Sequence, residues 1–236
     1  MKRIAPFIFT ILVFPQCFVV VKAQQDEKQV RPRRVKDQSQ QEAKHQPSSS
    51  KSKSPADAQR EAVANLIAMG AKVYMDADGN VLVLEFPKLT DAELESVDMG
   101  SLPRLHHLTL SDTKITDMGL LYLKRLNKLQ SLSLSLDGTQ VTDAGLGNLK
   151  ELRNLVRLSL ADTKVTDAGL VHLKDRSNLV GLNLAGTKVT DAGLLNLKKL
   201  SALKKLNLNF TLVTSAGSNE LKQAMPKCEI MWLPHQ

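Results

Sequence analysis

Leucine recurs along this chain at fixed phases. From Leu155 the sequence runs LVRLSLADTKVTDAGLVHLKDRSN, and the next 24 residues, from Leu179, restate it as LVGLNLAGTKVTDAGLLNLKKLSA. The stretches from Leu105 and Leu203 keep the same phase, and the copy from Leu129 carries two extra residues. Each copy opens L-x-x-L-x-L. Leu158 and Leu160 are two apart, the strand period that sends both side chains to one face. Leu170 and Leu173 are three apart, the helix period. Each unit is therefore predicted to be a short strand, a turn, and a short helix returning on the other side. One such unit cannot bury its own leucine face, so copies must stack, and a repeat of this length marks a solenoid.

The polar positions recur as well. Thr166 suits an N-cap, and Asp167 places a negative charge at the positive end of the helix that follows. The repeated Asp117, Asp143, Asp167 and Asp191 are thereby explained as helix-start residues rather than catalytic ones. Lys124, Lys150, Lys174, Lys198 and Lys222 are expected at the helix C-termini, where a cation suits the dipole. Thr113, Thr139, Thr163, Thr187 and Thr211 are expected to point inward and satisfy loop backbone groups.

The pattern L-x-x-L-x-L-x-x-T-x-[VI]-T-D-x-G-L-x-x-L resembles the leucine-rich repeat, close to its cysteine-containing subtype, with Thr where that subtype has Cys. It is similar to secreted bacterial leucine-rich repeat proteins, and the match runs from about Gly79 to Trp232. The resemblance implies an α/β solenoid: an arc of short parallel strands on the concave side and short helices on the convex side. It also implies partners, usually proteins, bound through the strand face.

The ends depart from the repeat. Residues 1–23 have a basic start, an apolar run, and Val21 and Ala23 before Gln24, which reads as a cleavable secretory signal. An uncleaved membrane anchor is the alternative for that segment. Residues 24–54 are rich in Gln, Lys, Arg, Ser and Pro and are expected to form a disordered basic linker. Residues 55–236 form the repeat domain, divided into an N-terminal cap (55–80), repeats (81–226) and a C-terminal cap (227–236). In the N-terminal cap, Ser54 and Pro55 start a helix that Gly70 ends, and a hairpin turns at Ala77-Asp78-Gly79-Asn80. Trp232 is expected to lie over the last repeat as a lid.

Charge follows this division. The chain holds 32 basic and 24 acidic residues, a net +8. Residues 24–56 hold eight basic and four acidic groups, and residues 57–236 hold 21 and 20, so the excess sits in the N-terminal part. The linker lacks aromatics that stack on bases, and nucleic acid is not expected as a partner. Localisation is expected to be secreted, or at the periplasm or cell envelope.

No enzyme motif emerges. Asp76 to Asn80 begins like a calcium loop, but Gly79 falls fourth rather than sixth, and Pro87 takes the twelfth position. His45, His106, His107, His172 and His235 show no zinc-type spacing. Once the signal is removed Cys228 is the single thiol, which excludes an internal disulfide. No cofactor or metal is expected, and the chain is read as a non-enzymatic monomer. What remains is the variable strand face: His107, Thr109, Ser131, Ser133, Arg157, Ser159, Asn183, Lys205, Asn207 and Asn209. These are the candidate contacts to a protein or glycan at the cell envelope, with Arg157 and Lys205 as isolated anchors on a small, polar wall.

Overall fold

The computed structural model of the chain describes residues 19–20 and 55–234. The expected signal apart from Val19–Val20, the expected linker, the capping position Ser54 and His235 lie outside the described residues. Helix α1 (Pro55–Ala68) ends at Gly70, whose φ of 82° is the left-handed turn that only glycine adopts without cost. Next come β2 (Lys72–Met75) and β3 (Val81–Glu85), an antiparallel hairpin, and a two-residue strand β1 (Val19–Val20) pairs with the outer side of β2. Asp76 closes the hairpin turn by accepting the N–H of Asp78 at 3.0 Å and of Asn80 at 2.8 Å. The Asn80 side-chain amide also donates to it and, above all, holds the Asp76 carboxyl below its ordinary pKa.

From β3 onward every strand is parallel to the last. The order is β4 (His107–Thr109), β5 (Leu132–Ser135), β6 (Leu155–Ser159), β7 (Gly181–Asn183), β8 (Lys205–Asn207) and β9 (Glu229–Met231). Leu84, Leu108, Leu134, Leu158, Leu182, Leu206 and Ile230 line up across the register. Between the strands run α2 (Asp91–Ser96), α3 (Gly119–Tyr122), α4 (Asp143–Asn148), α5 (Asp167–Leu170), α6 (Asp191–Leu197) and α7 (Ser215–Ala224). The leucines of both layers meet in one continuous core, where Leu110, Leu136, Leu160 and Leu184 are fully buried. Strands pack ~4.8 Å apart while helices need about 10 Å, so the stack must bend with its strands on the inner wall.

The helices are shorter than the lysine pattern predicts. Only Lys222 of α7 falls in a helical last turn. Lys124 lies in a 3-10 turn after α3, Lys150 and Lys174 fall beyond α4 and α5, and Lys198 follows directly on α6. A repeat of this length leaves room for one or two helical turns before the chain must double back to the next strand.

The Thr-Asp pair does more than cap its own helix. Thr142, Thr166 and Thr190 do accept the N–H of Ala144, Ala168 and Ala192, each at 3.3 Å. Each aspartate, however, reaches into the following repeat. Asp91, Asp117, Asp143, Asp167 and Asp191 accept the backbone N–H of Thr116, Thr142, Thr166, Thr190 and Thr214 at 2.7–2.9 Å. Their second oxygens accept the hydroxyls of the same threonines at 2.5–2.6 Å. The carboxylate lies over a glycine of the receiving helix: a Cβ on Gly145 or Gly193 would collide with Asp117 or Asp167. Thr, Asp and Gly therefore form one clasp between successive repeats.

The second threonine column is internal. Thr113, Thr139, Thr163, Thr187 and Thr211 are 1–5% exposed and donate their hydroxyls to the carbonyls of Leu110, Leu136, Leu160, Leu184 and Leu208 at 2.6–2.7 Å. Just before each, the backbone turns left-handed at Asp112, Gly138, Asp162, Gly186 and Phe210, with φ of 54–69°. Asp and Gly tolerate that conformation; Phe210 is a bulky residue held in it by the shape of the repeat.

Among the described residues three polar side chains outside the threonine column enter the leucine core: Arg176, Asn154 and Ser218, the last 1% exposed at the place Leu194 holds in the copy before. Arg176 occupies the place that Leu152 and Leu200 hold in neighbouring copies and is 8% exposed. Its guanidinium donates to the carbonyls of Leu152 at 2.7 Å and Leu149 at 2.6 Å. Asn154 donates to Leu126 O at 3.1 Å in the same manner. At the far end Trp232 rests half-buried on the core, with its indole N–H donating to Val213 O at 3.0 Å.

Candidate binding face

Alternation along each strand sends the residues between the leucines out to the strand face. The register arranges them in columns that run across the repeats. The first column is His107, Ser133, Arg157, Gly181, Lys205 and Glu229; the second is Thr109, Ser135, Ser159, Asn183, Asn207 and Met231. A third follows just past the strands, where Ser111, Asp137, Ala161, Ala185 and Asn209 are equivalent through the backbone bonds of their neighbours.

Ser131 does not take the place its spacing predicts. The two extra residues of its repeat lie ahead of β5, and a bulge shifts the pairing between Leu132 and Ser133. Ser133 therefore stands beside His107 and Arg157, Ser135 beside Thr109 and Ser159, and Ser131 precedes the strand. The same slip of two brings Asp137 onto the face, a residue the sequence reading passed over.

Asp137 is the centre of a hydrogen-bonded chain. It accepts the N–H of Ala161 at 2.8 Å and the hydroxyls of Ser135 and Ser159. The Ser111 and Ser135 hydroxyls are 2.7 Å apart, and the Asn183 amide donates to Ser159 Oγ at 2.8 Å. With Ser135 and Ser159 giving their protons to the carboxylate, the donors run inward from both sides. Burial pushes the Asp137 carboxyl above its ordinary value, against these bonds, and the neighbouring Asp162 adds to the rise. Asn207 Oδ1 accepts the N–H of Asn209 at 3.0 Å, and Asn209 Oδ1 is buried without a partner among the described residues.

The two cations differ. Lys205 lies 3.7 Å from Glu229 across the sheet, so it is not isolated, and both groups are exposed. Such a pair contributes little, about 0–1 kcal/mol. Arg157 is exposed and makes no ion pair or hydrogen bond among the described residues; Gly181 beside it leaves room for its aliphatic stem.

His107 sits between them and the cap. Burial lowers its pKa below the ordinary 6.5, the Arg157 charge and then His106 lower it further, and Glu85 opposes them. The neutral ring is thus the form the fold favours. Its contribution to stability is complete above pH 6.5 and declines as pH falls, because the unfolded chain then takes up the proton more readily. In an NMR titration the His107 midpoint is expected below 6.5. Arg157→Gln should raise that midpoint part of the way; an unmoved midpoint would show that Arg157 does not act on the ring.

Elsewhere the structure holds little chemistry. An open depression of about 570 Å³ lies beside the loops at Asp98, Pro103, Arg125 and Lys128, away from the strand face. Among the described residues no three His, Cys, Asp or Glu side chains converge as metal ligands. No helix there is long and apolar enough to cross a membrane. Cys228 is half-buried, and burial followed by Glu229 raises its thiol pKa, which keeps it protonated at neutral pH.

No family model matches the chain, and no curated protein does. Similar solved structures include internalin F of Listeria monocytogenes, 21% identical over 58% of this chain and 44% of that one, with a TM-score of 0.44. Internalin C2 of the same organism is 19% identical over 73% of this chain and 92% of its own, with a TM-score of 0.42. A leucine-rich repeat protein of Leptospira interrogans is 20% identical over 57% of this chain and 38% of its own, with a TM-score of 0.41. The chain thus spans less than half the length of the first and third. The architecture rests on the chain's own residues, namely the in-phase leucines, the parallel register and the clasp between repeats. By these the described chain is an α/β leucine-rich repeat solenoid behind a helix-hairpin cap.

Proposed function

We propose that the chain is an exported, non-enzymatic interaction module that binds a protein partner through its strand face. One observation carries this reading. The face presents adjoining columns of hydrogen-bonding side chains, which vary from repeat to repeat while the fold-making positions stay constant. Arg157 is its exposed, unpaired cation, and arginine is among the residues that dominate protein interfaces. Asp137, in the third column, adds an acidic group to the same face, held by the Ala161 N–H and two serine hydroxyls. A glycan, met by the same hydroxyls and amides, is the alternative ligand. The apolar N-terminal run supports export and has the small residues a cleavage site needs.

The test is recovery of partners from cell-envelope extracts by the full chain and by Arg157→Glu with Lys205→Glu. Loss of a protein band in the double variant, with glycan-array binding unchanged, supports the reading. Equal recovery by both chains removes the strand face from it. N-terminal sequencing of the exported chain checks the export step: a start at Gln24 is expected, and an intact Met1 would indicate a retained anchor.

A further inference from the structure

The helix layer carries a second pattern, which neither folding nor the strand face uses. In the copies from Leu105, Leu155 and Leu179, residues three apart recur along the helix and the turn that follows it: Met118, Leu121 and Lys124; Ala168, Val171 and Lys174; Ala192, Leu195 and Lys198. Ala144, Gly147 and Lys150 are the line between the first two. Stacking sets the lines side by side, with the aliphatics of Val171 and Leu195 on neighbouring copies, Met118 and Leu121 beyond Ala144 and Gly147, and a lysine column along one border; Lys114, Lys164 and Lys188 stand where the chain enters the helices. Met118 is 57% exposed, Leu121 36%, Val171 44% and Leu195 61%. The leucines beside them in sequence, Leu120, Leu170 and Leu194, are buried, so the fold has its packing residues and these aliphatics are additional. Grouped exposure of this kind marks a contact surface.

The charge of the layer points to the partner. Asp117, Asp143, Asp167 and Asp191, the acids nearest these aliphatics, are engaged by threonines of the next repeat. Of the bordering lysines, Lys198 alone has an ion-pair partner among the described residues, Glu220 at 2.6 Å. Glu151 and Asp175 follow Lys150 and Lys174 in sequence, yet with the strand-face Arg157, Lys205 and Asp137 and the buried Arg176 set aside, residues 112–224 still hold 13 basic against 9 acidic side chains. Exposed aliphatics flanked by lysines complement a surface that is anionic outside and apolar just beneath. A bilayer with anionic headgroups has that layering.

We propose that the helix face docks on anionic membrane lipid, with Val171 and Leu195 entering the headgroup boundary and the bordering lysines meeting phosphate groups. A face that bends away from a plane touches it over few repeats, and Val171 and Leu195 lie on neighbouring ones. This surface is opposite the strand face, so a docked chain keeps its binding columns open.

The test uses the full chain on vesicles of phosphatidylglycerol and phosphatidylcholine in equal parts. The basic residues 24–54 also attract such vesicles, so the readout must be local to the helix face. In Leu195→Trp, bromine-labelled acyl chains are expected to quench emission beyond the quenching of Trp232 in the parent chain. Val171→Ser with Leu195→Ser, at exposed positions that leave folding intact, should weaken partition about tenfold. Lys150→Gln, Lys174→Gln and Lys188→Gln together should weaken it on anionic vesicles and not on phosphatidylcholine alone. Vesicle binding without local quenching, or serine or glutamine variants that bind like the parent, would overturn the proposal. Loss in the glutamine variants alone would also overturn it, because it would leave an anionic polymer or protein as the partner.

Discussion

The Gly145→Val chain is expected to lose about 3 kcal/mol of unfolding stability, read as a lower urea midpoint. The cause is space rather than backbone freedom. The Asp117 carboxylate already fills the position that a Cβ on Gly145 would take, and Leu120 Cδ1 lies 3.1 Å from the same point. Movement of Asp117 would pull its oxygens off Thr142, whose N–H and hydroxyl it holds at 2.8 Å and 2.6 Å. The added side chain thus overpacks one contact and breaks two hydrogen bonds. A milder pair of variants checks this account. Asp117→Ala and Gly145→Ala should each destabilise, and together they should cost less than the sum, because the missing carboxylate makes room for the methyl group. Strict additivity would mean that the clasp does not couple the repeats.

Arg176→Ala is expected to cost a comparable amount, about 3 kcal/mol, through a different mechanism. The substitution empties a site in the leucine column and takes the guanidinium donors from the carbonyls of Leu149 and Leu152, which keep only the backbone N–H of Leu152 and Leu155. Arg176→Leu refills the column, as Leu152 and Leu200 do in adjacent copies, and should recover most of the loss. Arg176→Lys keeps the charge but offers no planar fork to reach two carbonyls, so it should fall between the two. If alanine and leucine were equally damaging, the hydrogen bonds and not the packing would carry the effect. Thermal unfolding of the three variants side by side distinguishes these cases.

The features that were legible in the sequence are those that depend on distance along the chain. Leu158 and Leu160 declare a strand and Leu170 and Leu173 a helix because neighbours in sequence are neighbours in space. Repetition then extends one unit to the whole stack. The role of Asp143 was legible only in part. Its place after Thr142 accounts for a helix start, but its hydrogen bonds run to Thr166, 23 residues away. A repeat pattern alone does not say which copy a side chain serves.

The strand face shows the same limit. Ser131 and Ser133 both directly adjoin a leucine, so alternation alone could not say which of them stands beside His107. The register of β5 on β4 decided it, and with it the appearance of Asp137 on the wall. The lysines after the helices fit a dipole rule, but these helices stop before most of them. Phe210 in a left-handed turn also left no local trace; only its equivalence to Asp162 and Gly186, which share that conformation, points to it.

The clasp has one more consequence, for how such a chain can change in length. Each copy from Leu105 to Leu203 presents a threonine and a glycine to the copy before it, and those up to Leu179 present an aspartate to the copy after. The matching parts are identical, so a duplicated or deleted unit meets a fitting neighbour at both of its seams. Ser215 stands where the next aspartate would be, and the succession of clasps ends there. The clasp therefore sets no barrier to gain or loss of whole units between Leu105 and Ser215. Such an event lengthens or shortens the wall of recognition residues without asking the scaffold to be reinvented.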